Sequence, residues 1–256
     1  MHRFTFYLLG SALLLASPAL AQCHLYLDLR AQFESGYAEG WLRGPQAPGL
    51  RVRPGSLSPR PGLALRLRGP GRWGTSLDYA VGKLDCSYVI TPPPGATGFT
   101  QARLSSSLDL DRLTLLAHYR LGRALDPAAA PPAWHLGWEL QAGAGLNHIS
   151  RDLRERRSVS TVVSNQDTVG LIAERFQRAW APQLTAGLTA RLHRRGHERA
   201  FLSVYLTQGL ADLMRYDTRY RFGGAATSQY QLRARGSALG FSLGLPLRIG
   251  SWAARS

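Results

Sequence analysis

Hydrophobic and polar residues alternate one by one through the stretch WHLGWELQAGAGLNHIS, from Trp134 to Ser150. Tryptophan, leucine and alanine occupy every second position, and the positions between them hold histidine, glycine, glutamate, glutamine and asparagine. A repeat of two residues is the period of a β-strand, in which successive side chains point to opposite faces. This stretch therefore predicts a strand with one apolar face and one polar face.

Seven further segments alternate in the same way, which gives eight predicted strands and an all-β fold. The other seven strands are predicted at 24–34, 63–68, 72–88, 102–121, 178–192, 200–213 and 229–250. Two of them change parity part-way, near Asp111-Arg112 and near Gly236-Ser237. The change near Asp111 predicts a β-bulge.

The connections between the predicted strands alternate between short and long. Short turns are predicted at 69–71 and 193–197, with a Pro/Ala segment at 126–132. The long connections are predicted at 35–61, 91–100, 151–177 and 215–228. This alternation is typical of an eight-stranded antiparallel up-and-down transmembrane β-barrel, whose short turns lie in the periplasm and whose long loops lie outside the cell.

Residues 1–21 have the pattern of a secretory signal peptide, with an apolar stretch at 6–16 and a cleavage site at Ala19-Leu20-Ala21. Residues 22–256 are then expected to form one outer-membrane β-barrel domain. No later segment has the roughly 18 uninterrupted apolar residues of a membrane-spanning helix, so we expect strands alone to cross the membrane.

The two cysteines are Cys23 and Cys86. Lipidation of Cys23 is disfavoured because Gln22 precedes it, where a very small residue is normally needed. The strand assignments put Cys23 at the periplasmic end and Cys86 near the outer end, so a disulfide between them is not expected.

Periodicity alone does not tell whether the apolar face meets lipid or a protein core. A soluble periplasmic ligand-binding barrel also alternates, but it turns its apolar face inward. Three features favour lipid: small residues on the polar face, strands long enough to cross a bilayer, and Trp73, Trp134, Trp180 and Trp252 near predicted strand ends. Since an arginine facing lipid at the midplane costs about 2 to 4 kcal/mol, we expect the charged face inside.

Eight strands leave an interior that side chains can fill, which predicts a plugged barrel rather than a general diffusion pore. Acids and arginines on the polar face are expected to form ion pairs there. The residues predicted to form them are Asp28, Arg30, Glu34, Asp78, Asp109, Arg120, Glu139 and Arg191.

The formal net charge is +15, and all but one of the 31 lysine and arginine residues are arginines. Such a surplus indicates binding to nucleic acid or to an anionic membrane surface, or a biased genome. A secreted protein rarely meets nucleic acid, so the expected partner is outer-membrane lipid, and lipopolysaccharide phosphates are a candidate ligand. The lipopolysaccharide-binding candidates are Arg151, Arg154, Arg156 and Arg157, and the alternative is a solvated loop without a ligand.

One short motif could support chemistry. His148 and Ser150 lie on one face at the outer end of the predicted fifth strand, and Glu155 follows. The arrangement resembles the His-x-Ser plus Glu of outer-membrane lipid A deacylases, in which histidine activates serine for acyl transfer. Because the motif is short and arginines beside Glu155 could pair with it instead, we expect a protein that is not an enzyme and needs no cofactor or metal.

Four stretches together have the pattern of a known family: the signal ending at Ala21-Gln22, HLYLDLRAQF, LDLDRLTLLAHYRLG and WELQAGAGLNHI. In these stretches the sequence resembles the PorT-like outer-membrane β-barrel family common in Bacteroidota. The resemblance implies the outer membrane of a Gram-negative cell and, for most members, no known activity. We therefore expect a structural role, or binding through the outer loops. The chain departs from the family pattern by ending GLPLRIGSWAARS instead of on an aromatic residue that barrel-assembly machinery often reads. We expect a monomer that uses this machinery during biogenesis.

Overall fold

The computed structural model describes residues 22–37, 39–43, 50–53, 57–91, 102–122, 133–149, 160–164, 167–221 and 228–253. These residues form fourteen β-strands. The strands are β1 (Gln22–Gly36), β2 (Glu39–Arg43), β3 (Leu50–Arg53), β4 (Ser58–Arg68), β5 (Trp73–Ile90), β6 (Ala102–Leu121), β7 (Trp134–His148), β8 (Ser160–Ser164), β9 (Asp167–Phe176), β10 (Trp180–Arg194), β11 (His197–Gly209), β12 (Met214–Arg221), β13 (Ser228–Ala234) and β14 (Ala238–Ala253). In this part of the chain there is no helix with the length and hydrophobicity that a bilayer crossing requires.

Eight of the strands form a closed barrel in the order β1-β4-β5-β6-β7-β10-β11-β14. Each strand is antiparallel to both of its neighbours, and β1 pairs with β14 to close the ring. Because neighbours in the barrel are also neighbours in chain order, the topology is up-and-down. The predicted eight-stranded antiparallel up-and-down barrel is confirmed.

The two ends of the barrel differ in their connections. The start of β1, the end of β14 and the connections β4–β5, β6–β7 and β10–β11 share one end, which we call the turn end. The turn between β10 and β11 is the two-residue pair Arg195-Gly196, whose φ angles of +50° and +77° match a type I′ hairpin. The other four connections lie at the opposite end, which we call the loop end.

The long connections contribute strands of their own. A second sheet, the loop-end sheet, has the order β2-β13-β12-β9-β8 and combines segments from three connections. β3 pairs with the last residues of β5 and extends the barrel wall. The predicted eighth strand, 229–250, is divided near Gly236, whose φ is +80°: β13 joins the loop-end sheet and β14 joins the barrel.

The predicted β-bulge near Asp111 is wrong. β6 pairs with β5 in unbroken register from Ile90↔Ala102 to Trp73↔Tyr119. Leu110 therefore faces the interior together with Arg112 and is only 1% exposed. The parity of the leucines changes because an apolar side chain lies inside the barrel near its loop end, where Leu84 is also buried.

The outer and inner faces of the barrel wall have opposite character. Many apolar side chains on the outer face are 38% or more exposed; they include Leu29, Leu63, Leu65, Leu115, Leu136, Leu140, Leu184, Leu188, Leu202, Val204, Leu243 and Leu245. Polar side chains on the inner face are buried; they include Asp28, Gln32, Ser76, Thr114, His118, Gln141, Thr189, Ser203 and Ser242. This distribution is the reverse of that in a water-soluble protein.

Glycine lets β6 and β7 approach closely in the barrel wall. A Cβ atom at Gly143 would lie 1.9 Å from the backbone oxygen of Leu115, and one at Gly145 would lie 2.1 Å from that of Leu113. No other residue type could occupy these positions without a shift of the backbone. The small residues on the polar face of the WHLGWELQAGAGLNHIS stretch thus have a structural reason.

Candidate functional site

The barrel interior nearer the turn end contains a dense network of ion pairs. Arg191 contacts Glu139 and Glu198 in short ion pairs and lies 3.9 Å from the carboxylate of Asp28. Arg66 donates to Asp28 at 2.9 Å and to both carboxylate oxygens of Glu198 at 2.9 Å. All five side chains are 5% exposed or less. Each buried charge thus has more than one oppositely charged partner.

A second group of polar contacts continues toward the loop end. Arg30 forms a short ion pair with Asp78 and lies 3.6 Å from Asp28. The hydroxyl of Ser76 donates to Asp78 at 2.6 Å and lies 2.8 Å from Nε2 of His118. These contacts join the charges of β1 to those of β5 and β6 across the interior.

The next contacts along the axis involve Glu34. Its carboxylate forms a short ion pair with Arg112 and accepts a hydrogen bond of 2.8 Å from the hydroxyl of Tyr205. Arg112 also donates to the side chain of Asn147 at 3.3 Å and to the carbonyl oxygen of Gly236 at 3.2 Å. Polar contacts therefore cross the interior along most of its length.

The structure brings together seven of the eight residues predicted to form interior ion pairs. Arg120 lies at the edge of the group, with Nε 3.8 Å from Glu139 and a side chain that is 29% exposed. Sequence reasoning missed Arg66, Arg112 and Glu198. The alternation already put Arg66 on the polar face, whereas Arg112 fell at the assumed bulge and Glu198 fell beside the predicted turn.

Asp109 does not belong to the interior. Its side chain is 63% exposed and pairs with Arg60 at 2.7 Å. Because β6 has no bulge, Asp109 shares its face with Leu113 and Leu115 on the outside of the wall, and Leu110 is on the inside. The assignment of Asp109 to the interior is corrected accordingly.

At the turn end the interior opens into a basic cavity of about 190 Å³. Arg68, Arg120, His135 and His193 line it, and Glu139 lies at its base. The rings of His135 and His193 are 5.6 Å apart, and Arg68 pairs with Glu198 at 3.0 Å. Deeper in the barrel, a cavity of only about 30 Å³ lies between the Arg30–Asp78 ion pair and the Glu34–Arg112 ion pair.

His148, the candidate catalytic base, lies on the outer face of the wall at the loop end. Its Nδ1 is 3.4 Å from Oδ2 of Asp111, and its ring packs against Trp180 at a centroid distance of 4.1 Å and a tilt of 34°. The hydroxyl of Tyr79 donates to the same aspartate at 2.8 Å. Ser150 and Glu155, the other two candidates, lie outside the described residues, so the motif is not assembled in the part of the chain that the structure describes.

The lipopolysaccharide-binding candidates Arg151, Arg154, Arg156 and Arg157 also lie outside the described residues. Cys23 is a buried cysteine at the turn end. Cys86 is in the part of β5 that lies toward the loop end. Among the described residues, no three histidine, cysteine or acidic side chains lie close enough together to hold a metal ion.

The loop-end sheet exposes arginines on one face. β9, β12 and β13 supply Arg175, Arg215, Arg219 and Arg233, a set that we call the arginine face. A groove of about 340 Å³ runs beside three of them, and Asp217 lies in it with a hydrogen bond of 2.8 Å from Gln231.

Asp212, between β11 and β12, links several of these arginines. Its carboxylate accepts hydrogen bonds from Arg215 at 3.1 Å and from Arg235 at 2.9 Å, and it lies 3.7 Å from Arg233. Burial acts to raise the pKa of Asp212, but the hydrogen bonds from Arg235 and Arg215 outweigh it and lower the pKa below its usual value. Asp212 is therefore held in its charged form.

No protein-family model and no curated protein matches the chain. Among solved structures, the chain is similar to the crystal structure of the outer membrane protein OprG from Pseudomonas aeruginosa. The identity is 12%, the TM-score is 0.34, and the match covers 88% of this chain and 96% of OprG.

Proposed function

We propose that the protein is a small outer-membrane β-barrel that holds a binding surface outside the cell. The observation behind this proposal is the reversed distribution of side chains: exposed leucines on the outer face and buried charges inside. In water, exposing so much apolar surface would favour aggregation. In a bilayer the same surface is solvated by lipid, and the closed ring pairs the backbone groups of neighbouring strands.

Aromatic residues support the same placement. Trp73, Trp134 and Trp138 are exposed near the turn end, and Trp180 is exposed near the loop end. Tryptophan side chains prefer the boundary between hydrocarbon and headgroups, and barrels carry such residues at both boundaries. The leucines lie between these two levels on the outer face.

The interior is proposed to be closed to general diffusion. Support comes from the ion pairs that link β1 to β4, β5 and β10, from the pair that links β10 to β11, and from Arg112, which joins β6 to Glu34 on β1. The cavity of about 30 Å³ between the polar groups has room for only one or two water molecules. The proposed role is therefore structural, or binding at the loop end, rather than conduction.

Two rival functions remain from the sequence. A soluble periplasmic ligand-binding barrel would need an apolar interior, but the described interior is polar and charged. An outer-membrane acyl hydrolase acting on lipid A gains one observation, the contact of His148 with Asp111. That contact is long for a hydrogen bond and has no nucleophile among the described residues beside it, so we keep the non-enzymatic proposal.

Fractionation combined with heat-modifiable electrophoresis tests the membrane proposal. We expect the full chain, expressed in a Gram-negative host, to be in the outer-membrane fraction. Its mobility in detergent gels should change on boiling, because closed barrels resist unfolding by detergent alone. Recovery in the soluble periplasmic fraction with no change on boiling would overturn the proposal.

Mass spectrometry of the host lipid A tests the hydrolase alternative. We expect no change in acyl-chain number on expression. A loss of acyl chains that is abolished by His148→Gln would replace the proposed function with the enzyme. Membership of the PorT-like family, cleavage after Ala21, assembly by the barrel-assembly machinery and the monomeric state remain predictions from the sequence.

A further inference from the structure

We propose that the arginine face of the loop-end sheet is a binding site for phosphate groups. The site lies outside the cell if the proposed outer-membrane function holds. It differs from the arginines of 151–157, which the sequence motif suggested, because it is formed by residues that are distant in the chain. Three observations support it: the register of the arginines, their charge surplus and the groove beside them.

The register puts three arginines side by side across three strands. Arg215 on β12 is directly opposite Arg233 on β13 and directly opposite Arg175 on β9. Directly opposed residues in an antiparallel pair have Cβ atoms only about 4.5 to 5.5 Å apart and share one face of the sheet. Like charges in such positions destabilise a sheet, so this row needs anions to balance it.

The acids nearby balance the row only in part. Asp217 pairs with Arg175 at 3.1 Å, and Asp212 pairs with Arg215, Arg233 and Arg235. At the groove, the three arginines Arg175, Arg215 and Arg219 therefore lie beside these two carboxylates. Among the described residues Arg219 forms no ion pair, and its side chain is exposed. The surplus is positive and accessible.

The groove beside these arginines offers space for a ligand next to the positive charge. Arg175, Arg215 and Arg219 line it together with Gln229, Gln231 and Tyr230. Guanidinium groups bind phosphate oxygens through two parallel N–H donors, and amide side chains can add further donors. The groove holds about 340 Å³, the space of roughly ten water molecules, which is enough for more than one phosphate group.

The shared chemistry of the ligand is a cluster of phosphate groups. One source is the diphosphorylated glycolipid headgroup of an outer leaflet, and the other is a soluble polyphosphate. Both offer several phosphate oxygens within the span of the arginine row. The experiment below separates the two sources.

Binding would be measured on the folded full-length protein in zwitterionic detergent micelles. The soluble probe is inorganic tripolyphosphate, followed by calorimetry. The lipid probe is phosphatidylcholine vesicles with diphosphoryl lipid A, compared with vesicles that contain dephosphorylated lipid A. We expect tripolyphosphate to bind, with an affinity that falls as salt is raised. Preference for the phosphorylated vesicles would identify the headgroup as the source, and tripolyphosphate binding without that preference would identify a soluble ligand.

Two substitutions locate the site. Arg219→Gln removes a guanidinium that forms no ion pair with a described residue, and Arg215→Gln removes the centre of the row. Each should weaken tripolyphosphate binding about tenfold, because a charged hydrogen-bond pair is lost. The matched control is Arg194→Gln, which removes the same charge from an exposed arginine at the turn end and should leave the affinity unchanged.

The proposal is overturned if neither probe binds, or if the Arg215 and Arg219 variants bind as tightly as the Arg194 variant. A variant that no longer shows heat-modifiable mobility is unfolded, and Arg219→Gln alone then decides because it disturbs no ion pair. The membrane proposal can fail separately. If the protein is soluble but still binds tripolyphosphate through these arginines, the phosphate site is supported and the outer-membrane location is overturned.

Discussion

Arg191 and Glu198 form an ion pair inside the barrel, and each side chain is only 1% exposed. Glu198 is inside because the register of β10 and β11 shifts between Leu192/His193 and Ala200/Glu198, which leaves Arg199 as an extra residue. The shift turns Glu198 inward and leaves Arg199 exposed. This β-bulge therefore decides which of two neighbouring, oppositely charged residues enters the interior.

Removing Arg191 should strongly destabilise the barrel. In Arg191→Met, Glu139 and Glu198 lose a shared partner while they stay buried. We expect a loss of about 3 to 5 kcal/mol in the free energy of unfolding. Urea titration followed by tryptophan fluorescence measures it, with Arg194→Met at the exposed end of β10 as the control. Equal stability of the two variants would contradict the described ion-pair network.

Gly143 and Gly137 on β7 offer a matched pair of glycine substitutions. In Gly143→Ala the new Cβ would be 1.9 Å from the backbone oxygen of Leu115, so β6 and β7 must separate. In Gly137→Ala the nearest atom is a ring carbon of His193 at 3.5 Å, an ordinary contact. We expect Gly143→Ala to cost about 1 to 3 kcal/mol or more and Gly137→Ala to change little. Similar urea midpoints for both would show that the strands are not so close.

A substitution at Leu188 tests whether the outer face contacts lipid or water. The residue is on the outer face about midway along β10 and is 38% exposed. In a bilayer, Leu188→Arg should cost about 2 to 4 kcal/mol, whereas Leu210→Arg at the loop end should cost about 0 to 1 kcal/mol. The yield of heat-modifiable protein after refolding into phosphatidylcholine vesicles measures the difference. If the face met water, both variants would refold as well as the parent chain.

The loop-end sheet should loosen in acid. The pKa of Asp212 is lowered in the folded state. The stabilising contribution of its carboxylate is therefore fully present above the usual aspartate pKa of about 3.9. It is lost as the pH falls further, through the lowered folded-state pKa. Hydrogen exchange in 213–221 and 228–235, measured by mass spectrometry and corrected for the intrinsic pH dependence of amide exchange, should therefore show a loss of protection below that pH. Asp212→Asn should exchange faster at neutral pH and lose the acid dependence; unchanged exchange in this variant would contradict the assignment.

The alternation and the order of short and long connections predicted the barrel, and the cost of placing charge in lipid predicted the face of most residues. Leu136 and Leu140 alternate with Glu139 and Gln141 because a wall between two different environments imposes a period of two. The same rule failed at Leu110 and Asp109, where an apolar residue faces inward and an acid faces outward. A change of parity can arise from a β-bulge or from an apolar residue on the inner face of a regular strand. Only the pairing of β6 with β5 distinguishes the two.

The loop-end sheet and Glu198 could not be predicted from local patterns. β12, with the sequence MRYDTRYR, is short, and its partners are β13 and β9, from different parts of the chain. Its arginines become a row only through these pairings. Glu198 is inside only because β11 contains one extra residue near its turn, and no sequence period marks that residue.

The second sheet also ties the order of folding to the ends of the chain. β13 pairs with β2, and β14, which follows β13 directly, pairs with β1. Both pairings join the first and last parts of the chain, so they carry the largest loop-closure cost in the fold. A partly synthesised chain that lacks residues 228–253 can complete neither the barrel nor the loop-end sheet. A complete loop-end sheet is therefore expected only in a chain that also contains β14, the strand that closes the barrel.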